Sequence, residues 1–560
     1  MRIIFVLLAT ALSFQSSAQQ TAYHYSVKKN ITVTHGAVVS AHPLASQAGL
    51  QVLQQHGNAV DAAIATQLAL AVVYPAAGNL GGGGFLVGHL KNGKNIAIDY
   101  REAAPGKASR DMYLDKNGNP DTKLSQDGHL ATGVPGTIAG IFASLPYARL
   151  PIKTLITPAI ILAEKGFAIT EREARSLNAH MQEFKQLNTA SNAFIKETPW
   201  KEGDTLIQPD LANTLKRIRD NGQQGFYEGQ TAQLIAAEMQ RGHGLITIAD
   251  LKAYKAKVRT AQVFPYKSYQ VVTMPLPSSG GIALQQLMGI VEKYPVATWG
   301  FQSLQSVQLM VEAERRAYAD RAEFLGDPDF VKVPVKQLTS KAYLQERMKD
   351  YDPKKAGISA NVKAGQPEST ETTHLSVIDA DGNAVSVTTT LNGGYGSKIV
   401  VGGAGFLLNN EMDDFSVKPG VPNMYGLVGA EANAIAPNKR MLSSMTPTIV
   451  LKNNKPYLVV GTPGGSTIIT SVFQTLMNIL EFNLSTEQAV NAPKFHHQWL
   501  PDEVYIEKGF PDATRQQLEA MGYKMVNSEP IGRTEAIKVN AAGKIEAVGD
   551  NRGDDSAAGY

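Results

Sequence analysis

One stretch constrains this chain more than any other. Residues 372–394 read TTHLSVIDADGNAVSVTTTLNGG, with period-2 alternation on both sides of the turn signal Asp381-Gly382-Asn383. A hairpin centred on Asp381 sets Leu375 opposite Val387 and Val377 opposite Val385, which makes one apolar face. It sets His374 opposite Thr388 and Ser376 opposite Ser386, which makes one polar face. A one-residue slip would scramble both. The same register brings Thr372 opposite Thr390 at the open end. On periodicity alone this pair reads first as a threonine-rich edge, common in sheets. The other reading is two hydroxyls meeting where a polar loop, residues 354–371, enters a strand.

The rest of the chain supplies a large core around that hairpin. Hydrophobic residues are 43% of 560 and charged residues 18%, below the roughly 25% of ordinary soluble domains. Length allows up to about four domains or one large α/β unit. A formal charge of +3 excludes a nucleic-acid surface built on bulk charge. The absence of cysteine excludes disulfides, thiolate metal sites and cysteine nucleophiles. Residues 1–18 read as a cleaved export signal: Arg2, an apolar run, then Ser16 and Ala18 before Gln19. An uncleaved anchor is the alternative. No later stretch is apolar for about twenty residues, so no membrane span is expected after signal removal.

Local signals place further elements. Residues 47–56 read as a helix with Ser46 as N-cap, and residues 59–73 as a very apolar helix ending before Pro75. The run GNLGGGGFLVG, residues 78–88, fits neither dinucleotide nor P-loop glycine spacing and reads as close backbone packing before a strand. Residues 85–90 and 95–100 read as a hairpin around Asn92-Gly93 that delivers Arg101 at a strand end. Residues 156–344 read as mainly helical, and the charges of residues 312–324 as a solvated helix face. Gly464-Gly465 lies between a strand at 457–461 and a helix at 466–481. Backbone N–H groups there suit an anionic oxygen, although a plain strand-to-helix turn is the simpler reading. Asp413-Asp414 and His496-His497 carry no metal-ligand pattern.

The segment beginning at Thr372 resembles the start of the small subunit of γ-glutamyltransferases, which are N-terminal-nucleophile hydrolases. Other segments match that family in order: GNAVDAA at Gly57, GNLGGGGF, DYREAAP at Asp99, TGVPGT at Thr132 and PSSGG at Pro277. NNEMDDF at Asn409, PNKRMLSSMTPT at Pro437, GTPGGS at Gly461 and NAPKFHHQWLPDE at Asn491 follow. The match is closest to the bacterial, periplasmic type, so a periplasmic or secreted protein is expected.

The resemblance implies an α/β (α+β) fold, a four-layer αββα sandwich with mainly antiparallel strands. It implies a precursor that cuts itself between Glu371 and Thr372 into a large subunit, 19–371, and a small one, 372–560, forming one intertwined heterodimer without cofactor or metal. Glu371 is a departure that bears on processing rate, not on the attacking group. Thr372 is the implied nucleophile, with its freed α-amine as base; Thr390 orients it; Gly464 and Gly465 form the oxyanion hole. Arg101, Ser443 and Ser444 are implied to hold the donor's α-carboxylate, and Asn392, Glu411 and Asp414 its α-ammonium. Residues 419–429, containing Tyr425, resemble a lid; a rigid turn is the alternative. The expected activity is cleavage of glutathione and related γ-glutamyl compounds, with transfer to water, amino acids or short peptides. A cephalosporin (glutaryl) acylase of the same fold and a non-catalytic exported binding protein are the competing readings.

Overall fold

A computed structural model of the chain describes residue 23 and residues 25–362, 372–418 and 430–560. The export signal, Glu371 and the proposed lid with Tyr425 lie outside the described residues.

Two seven-stranded sheets carry the fold. In chain order their strands are β1 (Asn30–Val33), β2 (Ala37–Ser40), β3 (Gly83–His89), β4 (Asn95–Asp99), β5 (Lys257–Arg259), β6 (Gln262–Tyr266) and β7 (Tyr269–Thr273). Then follow β8 (Thr373–Ile378), β9 (Ala384–Thr390), β10 (Thr448–Lys452), β11 (Lys455–Gly461), β12 (Glu535–Val539), β13 (Ile545–Gly549) and β14 (Ser556–Gly559). One sheet runs β14-β2-β8-β9-β3-β4-β5 and the other β1-β13-β12-β11-β10-β7-β6. Every neighbouring pair in both is antiparallel. Each sheet draws strands from both sides of residue 372.

The β8–β9 ladder has the register read from alternation: His374↔Thr388, Leu375↔Val387, Ser376↔Ser386 and Val377↔Val385. Its apolar face packs on helices α1 (Pro43–Gln54) and α2 (Ala59–Val73). Its polar face meets the second sheet, where Ser386 Oγ donates to Val460 O at 3.2 Å and Ser376 Oγ to Glu535 O at 3.1 Å. Beyond the second sheet lie α3 (Gly280–Val291), α4 (Leu304–Phe324) and α5 (Thr467–Leu480), sharing its core. The layers are therefore helix, sheet, sheet, helix.

Helix α2 has the bounds expected from sequence, set by an Asn58–Asp61 capping box and by Pro75 beyond its end. Helix α1 starts four residues before the expected Gln47. Pro43 takes the first helical position and His42 Nδ1 caps Leu44 N–H at 3.2 Å. Ser46 instead ties the helix to the C-terminal strand, donating to Ser556 O at 2.7 Å. The solvated face expected on α4 is a correction. Glu312, Glu314, Arg315, Arg316, Asp320 and Arg321 are all buried. They are affordable inside because they meet partners: Arg316 Nη1 donates to Glu312 Oε2 at 2.6 Å and Nη2 to Asp350 at 2.7 Å, while Arg315 pairs with Asp502.

Candidate active site

The site assembles at one end of the β8–β9 hairpin. Thr372 directly precedes β8 and is 5% exposed. The ladder closes at Thr373↔Thr389, one step short of Thr372 and Thr390. Thr390 ends β9 opposite Gly83. Its Oγ1 accepts the Asn392 N–H at 2.8 Å, so the threonine fixes the turn that leaves the strand. Asn392 sits at φ +77°, a left-handed conformation that asparagine tolerates, and its side chain donates to Asn410 O at 3.0 Å.

The glycine run explains how these strand ends come together. A Cβ on Gly82 would lie 2.1 Å from Thr390 O, so only glycine lets the chain pass there. Asn79, absent from the expected site, clamps the same point. Its Nδ2 donates to Thr390 O at 2.8 Å and Thr389 Oγ1 at 3.1 Å, while its Oδ1 accepts from Thr137 Oγ1 at 2.6 Å.

Arg101 lies two residues past β4 and is 1% exposed. Its guanidinium pairs with both Glu411 and Asp414, donates to Leu442 O at 3.1 Å and Met441 O at 3.3 Å, and stands 3.8 Å from Glu102. The residues expected at opposite ends of a ligand thus form one ion cluster. Burial raises all three carboxyls, and Arg101 offsets part of that rise. Glu102 is pushed up to about 7, and Glu411 is held well above its ordinary value. Among the described residues, the buried Glu411 Oε2 and Asp414 Oδ1 have no hydrogen-bond partner. Asn409 supports the acidic turn: its Oδ1 accepts from Glu411 N at 3.0 Å and its Nδ2 donates to Gly81 O at 2.8 Å.

Ser443 and Ser444 approach from the second sheet's side. The PSSGG segment holds them: Ser443 N donates to Pro277 O at 2.9 Å, and Ser279 Oγ donates to Ser443 O at 2.7 Å. Arg321, also missed from sequence, donates to Ser444 Oγ and Ser279 Oγ, each at 2.9 Å. Its α4 position reads as a surface charge until the packing is known.

Gly464 and Gly465 adopt φ +135° and +54°. A Cβ on Gly464 would sit 2.4 Å from Thr467 Oγ1, so the turn into α5 demands glycine. Below the hairpin end, His374 is fully buried between Thr388 Oγ1 at 2.8 Å and Ser376 Oγ at 3.1 Å. Burial drives its pKa down to about 3, so it is neutral and structural at working pH. His496 and His497 are likewise buried and neutral. Among the described residues no group of three or more His, Asp or Glu side chains is arranged to hold a metal ion, and no helix is long and apolar enough to cross a membrane.

Comparison with known proteins gives this geometry a family. The family model described as gamma-glutamyltranspeptidase matches residues 45–560. The glutathione hydrolase proenzyme of Escherichia coli K12 is 49% identical, covering 100% of this chain and 99% of its own length. The structure of Helicobacter pylori gamma-glutamyltranspeptidase aligns at 42% identity and TM-score 0.56, covering 61% of this chain and 97% of that one. The cephalosporin acylase of Bacillus halodurans aligns at 26% identity and TM-score 0.84, covering 98% and 99%. With the family model matched over residues 45–560 and a relative 49% identical along the whole chain, this chain belongs to the γ-glutamyltranspeptidase family.

Proposed function

We propose that this chain is a self-processing γ-glutamyl hydrolase and transferase that takes glutathione as donor and works through Thr372. In the precursor, Thr372 Oγ attacks the Glu371 carbonyl, the peptide nitrogen leaves as the Thr372 amine, and water opens the resulting ester. The new α-amine has a reference pKa of about 7.7–8, near working pH, so it serves as base for its own hydroxyl. The deprotonated Oγ then attacks the donor's γ-carbonyl. Backbone N–H groups at Gly464 and Gly465 stabilise the oxyanion, the departing amine collects the proton, and a γ-glutamyl ester remains. Water yields glutamate; an amino acid or short peptide yields a new γ-glutamyl compound.

The observation that carries the donor assignment is the Arg101 cluster. A zwitterionic α-amino acid end inserts into such an ion pair without net change of buried charge. Its carboxylate shares Arg101, with Ser443 and Ser444 as further donors. Its ammonium, held also by Asn392, meets the unpartnered oxygens of Glu411 and Asp414. An acylase substrate lacking an α-amine leaves those oxygens unsatisfied, which disfavours the acylase reading. The resemblance of residues 419–429, with Tyr425, to the family's lid supports a gating role for that segment, and the signal at residues 1–18 directs the protein to the periplasm or medium. A non-catalytic binding protein would stay one chain.

Product analysis with glutathione, with and without a dipeptide acceptor, tests the reading. Free glutamate in the first case and a γ-glutamyl peptide in the second are expected. Denaturing electrophoresis should show two chains for the wild type and one for Thr372→Ala, which also loses turnover. A Thr372→Ala protein that still cuts itself and releases glutamate would disprove the nucleophile.

A further inference from the structure

A second buried cation, besides Arg101, reaches the residues of the donor pocket. Arg321 lies in the last turn of α4, where a helix end favours positive charge, and is 3% exposed. Its Nε donates to Ser279 Oγ and its Nη2 to Ser444 Oγ, each at 2.9 Å. Its charge also acts on Asp414: burial raises that carboxyl, and Arg101 and Arg321 both oppose the rise.

The backbone around Ser444 is pinned on both sides, which leaves its hydroxyl as the group to be oriented. Met441 O and Leu442 O accept from Arg101. Ser443 O accepts from Ser279 N and from Ser279 Oγ, both at 2.7 Å, and Ser444 O accepts from Thr446 Oγ1 at 2.7 Å. A serine hydroxyl carries one proton and two lone pairs, whereas a guanidinium has donors alone. Ser444 Oγ therefore accepts from Arg321, and its own proton is turned away from the guanidinium toward an acceptor. Ser279 Oγ shows the same arrangement completed: it accepts from Arg321 and gives its proton to Ser443 O.

We propose that Arg321 is a specificity-determining positioning residue: it makes Ser444 an obligate hydrogen-bond donor, so that the pocket selects a donor with a free α-carboxylate over one with an α-carboxamide. This assignment rests on the γ-glutamyl reading above. With Arg101 and Ser444 both presenting N–H or O–H groups, the ligand's end must supply acceptors only. A carboxylate does so with both oxygens, while a carboxamide turns an NH₂ group toward donors. Without Arg321 the Ser444 hydroxyl can reverse and accept from that NH₂, and the penalty on the carboxamide at this point disappears.

The test compares γ-glutamyl-p-nitroanilide with the same anilide bearing an α-carboxamide, on processed enzyme, as the ratio of their kcat/KM values. Arg321→Met should cut the wild-type preference for the acid by about tenfold, the worth of one charge-assisted hydrogen bond, chiefly through a higher KM for the acid. A purely structural arginine would lower both substrates alike and leave the ratio where it was. Arg321→Lys keeps the buried charge but not the planar fork that reaches Ser279 and Ser444 together, and should lower the ratio at least about threefold; it decides the matter if the methionine variant does not fold. In a Ser444→Ala background, Arg321→Met should move the ratio by less than about twofold, because the hydroxyl it orients is gone. A ratio equal to wild type in the Lys and Met variants, or an undiminished effect without the Ser444 hydroxyl, overturns the proposal alone. Wild-type protein that cleaves neither anilide overturns the γ-glutamyl reading and takes this proposal with it.

Discussion

Arg101→Met isolates the energetics of the buried ion cluster. It keeps much of the side chain's volume and removes the cation that pairs with Glu411 and Asp414 and stands 3.8 Å from Glu102, all buried. Without it, the least costly escape for a stranded carboxylate is to take up a proton. At pH 7.5 that costs roughly 4.4 kcal/mol for a carboxyl of reference pKa about 4.3, at about 1.36 kcal/mol per unit. The figure falls within the roughly 3–5 kcal/mol expected when one partner of a buried ion pair is deleted. At pH 5.5 the same protonation costs about 1.6 kcal/mol, so each stranded carboxyl returns about 2.7 kcal/mol over those two units. The sign follows from burial, which raises the folded-state pKa of all three. The folded form then binds more protons than the unfolded one, and stability falls as pH rises from about 4 through the folded value. Thermal unfolding should be compared at pH 5.5 and 7.5, with Arg101→Met made in the uncut Thr372→Ala background so that both proteins remain one chain. The variant should melt several degrees lower at pH 7.5, and the gap should narrow markedly at pH 5.5. Arg101→Lys should recover much of the stability without the planar fork that grips a carboxylate. A gap that is absent at pH 7.5, or equal at both values, would refute the cluster's charge balance as described.

Two more perturbations probe other parts of the site. Gly464→Ala forces a side chain to φ +135° and against Thr467 Oγ1, displacing the oxyanion turn; kcat should fall about 10²–10³-fold with donor KM little changed, measured by steady-state kinetics. Glu312→Ala removes one of the carboxylate partners of both Arg315 and Arg316, leaving them Asp502 and Asp350, and removes the acceptor of Tyr523 Oη at 2.7 Å; a loss of about 1.5–3 kcal/mol should appear as a lower unfolding midpoint.

How much of this was legible depended on whether the cause was local. The hairpin register could be read because alternation and the turn at Gly382 are both local, and its two faces meet chemically different layers. Helix α2 could be read because Asn58, Asp61 and Pro75 all lie at its ends. The α1 boundary shifted because a proline at the first helical position initiates rather than breaks a helix. The buried charges of α4 were invisible because their partners are distant: Asp350 and Asp502 come from other segments. For the same reason the sequence leaves Arg101 between a carboxylate anchor and a salt bridge to its neighbour Glu102, while Glu411 and Asp414, more than three hundred residues away, already occupy its guanidinium. Asn79 and Arg321 were missed because each acts on other site residues, and nothing in periodicity marks a clamp.

The strand topology also bears on the proposed cut before Thr372, which would break one bond without opening the ladders beside it. β8 lies between β2, from before the cut, and β9, from after it, and is hydrogen-bonded to both. β9 in turn pairs with β3, and β14 closes the sheet against β2. From Thr373 onward, the position of the new N-terminus is therefore set by ladders that do not include the Glu371–Thr372 bond. The proposed cleavage would change the chemistry of Thr372, from an amide nitrogen to a free amine, while leaving its placement to the neighbours it already had. Preorganisation of this kind spares the reacting groups any rearrangement at the moment of reaction. The same topology would keep the two proposed chains together, because separating them would require both sheets to open along several strands at once.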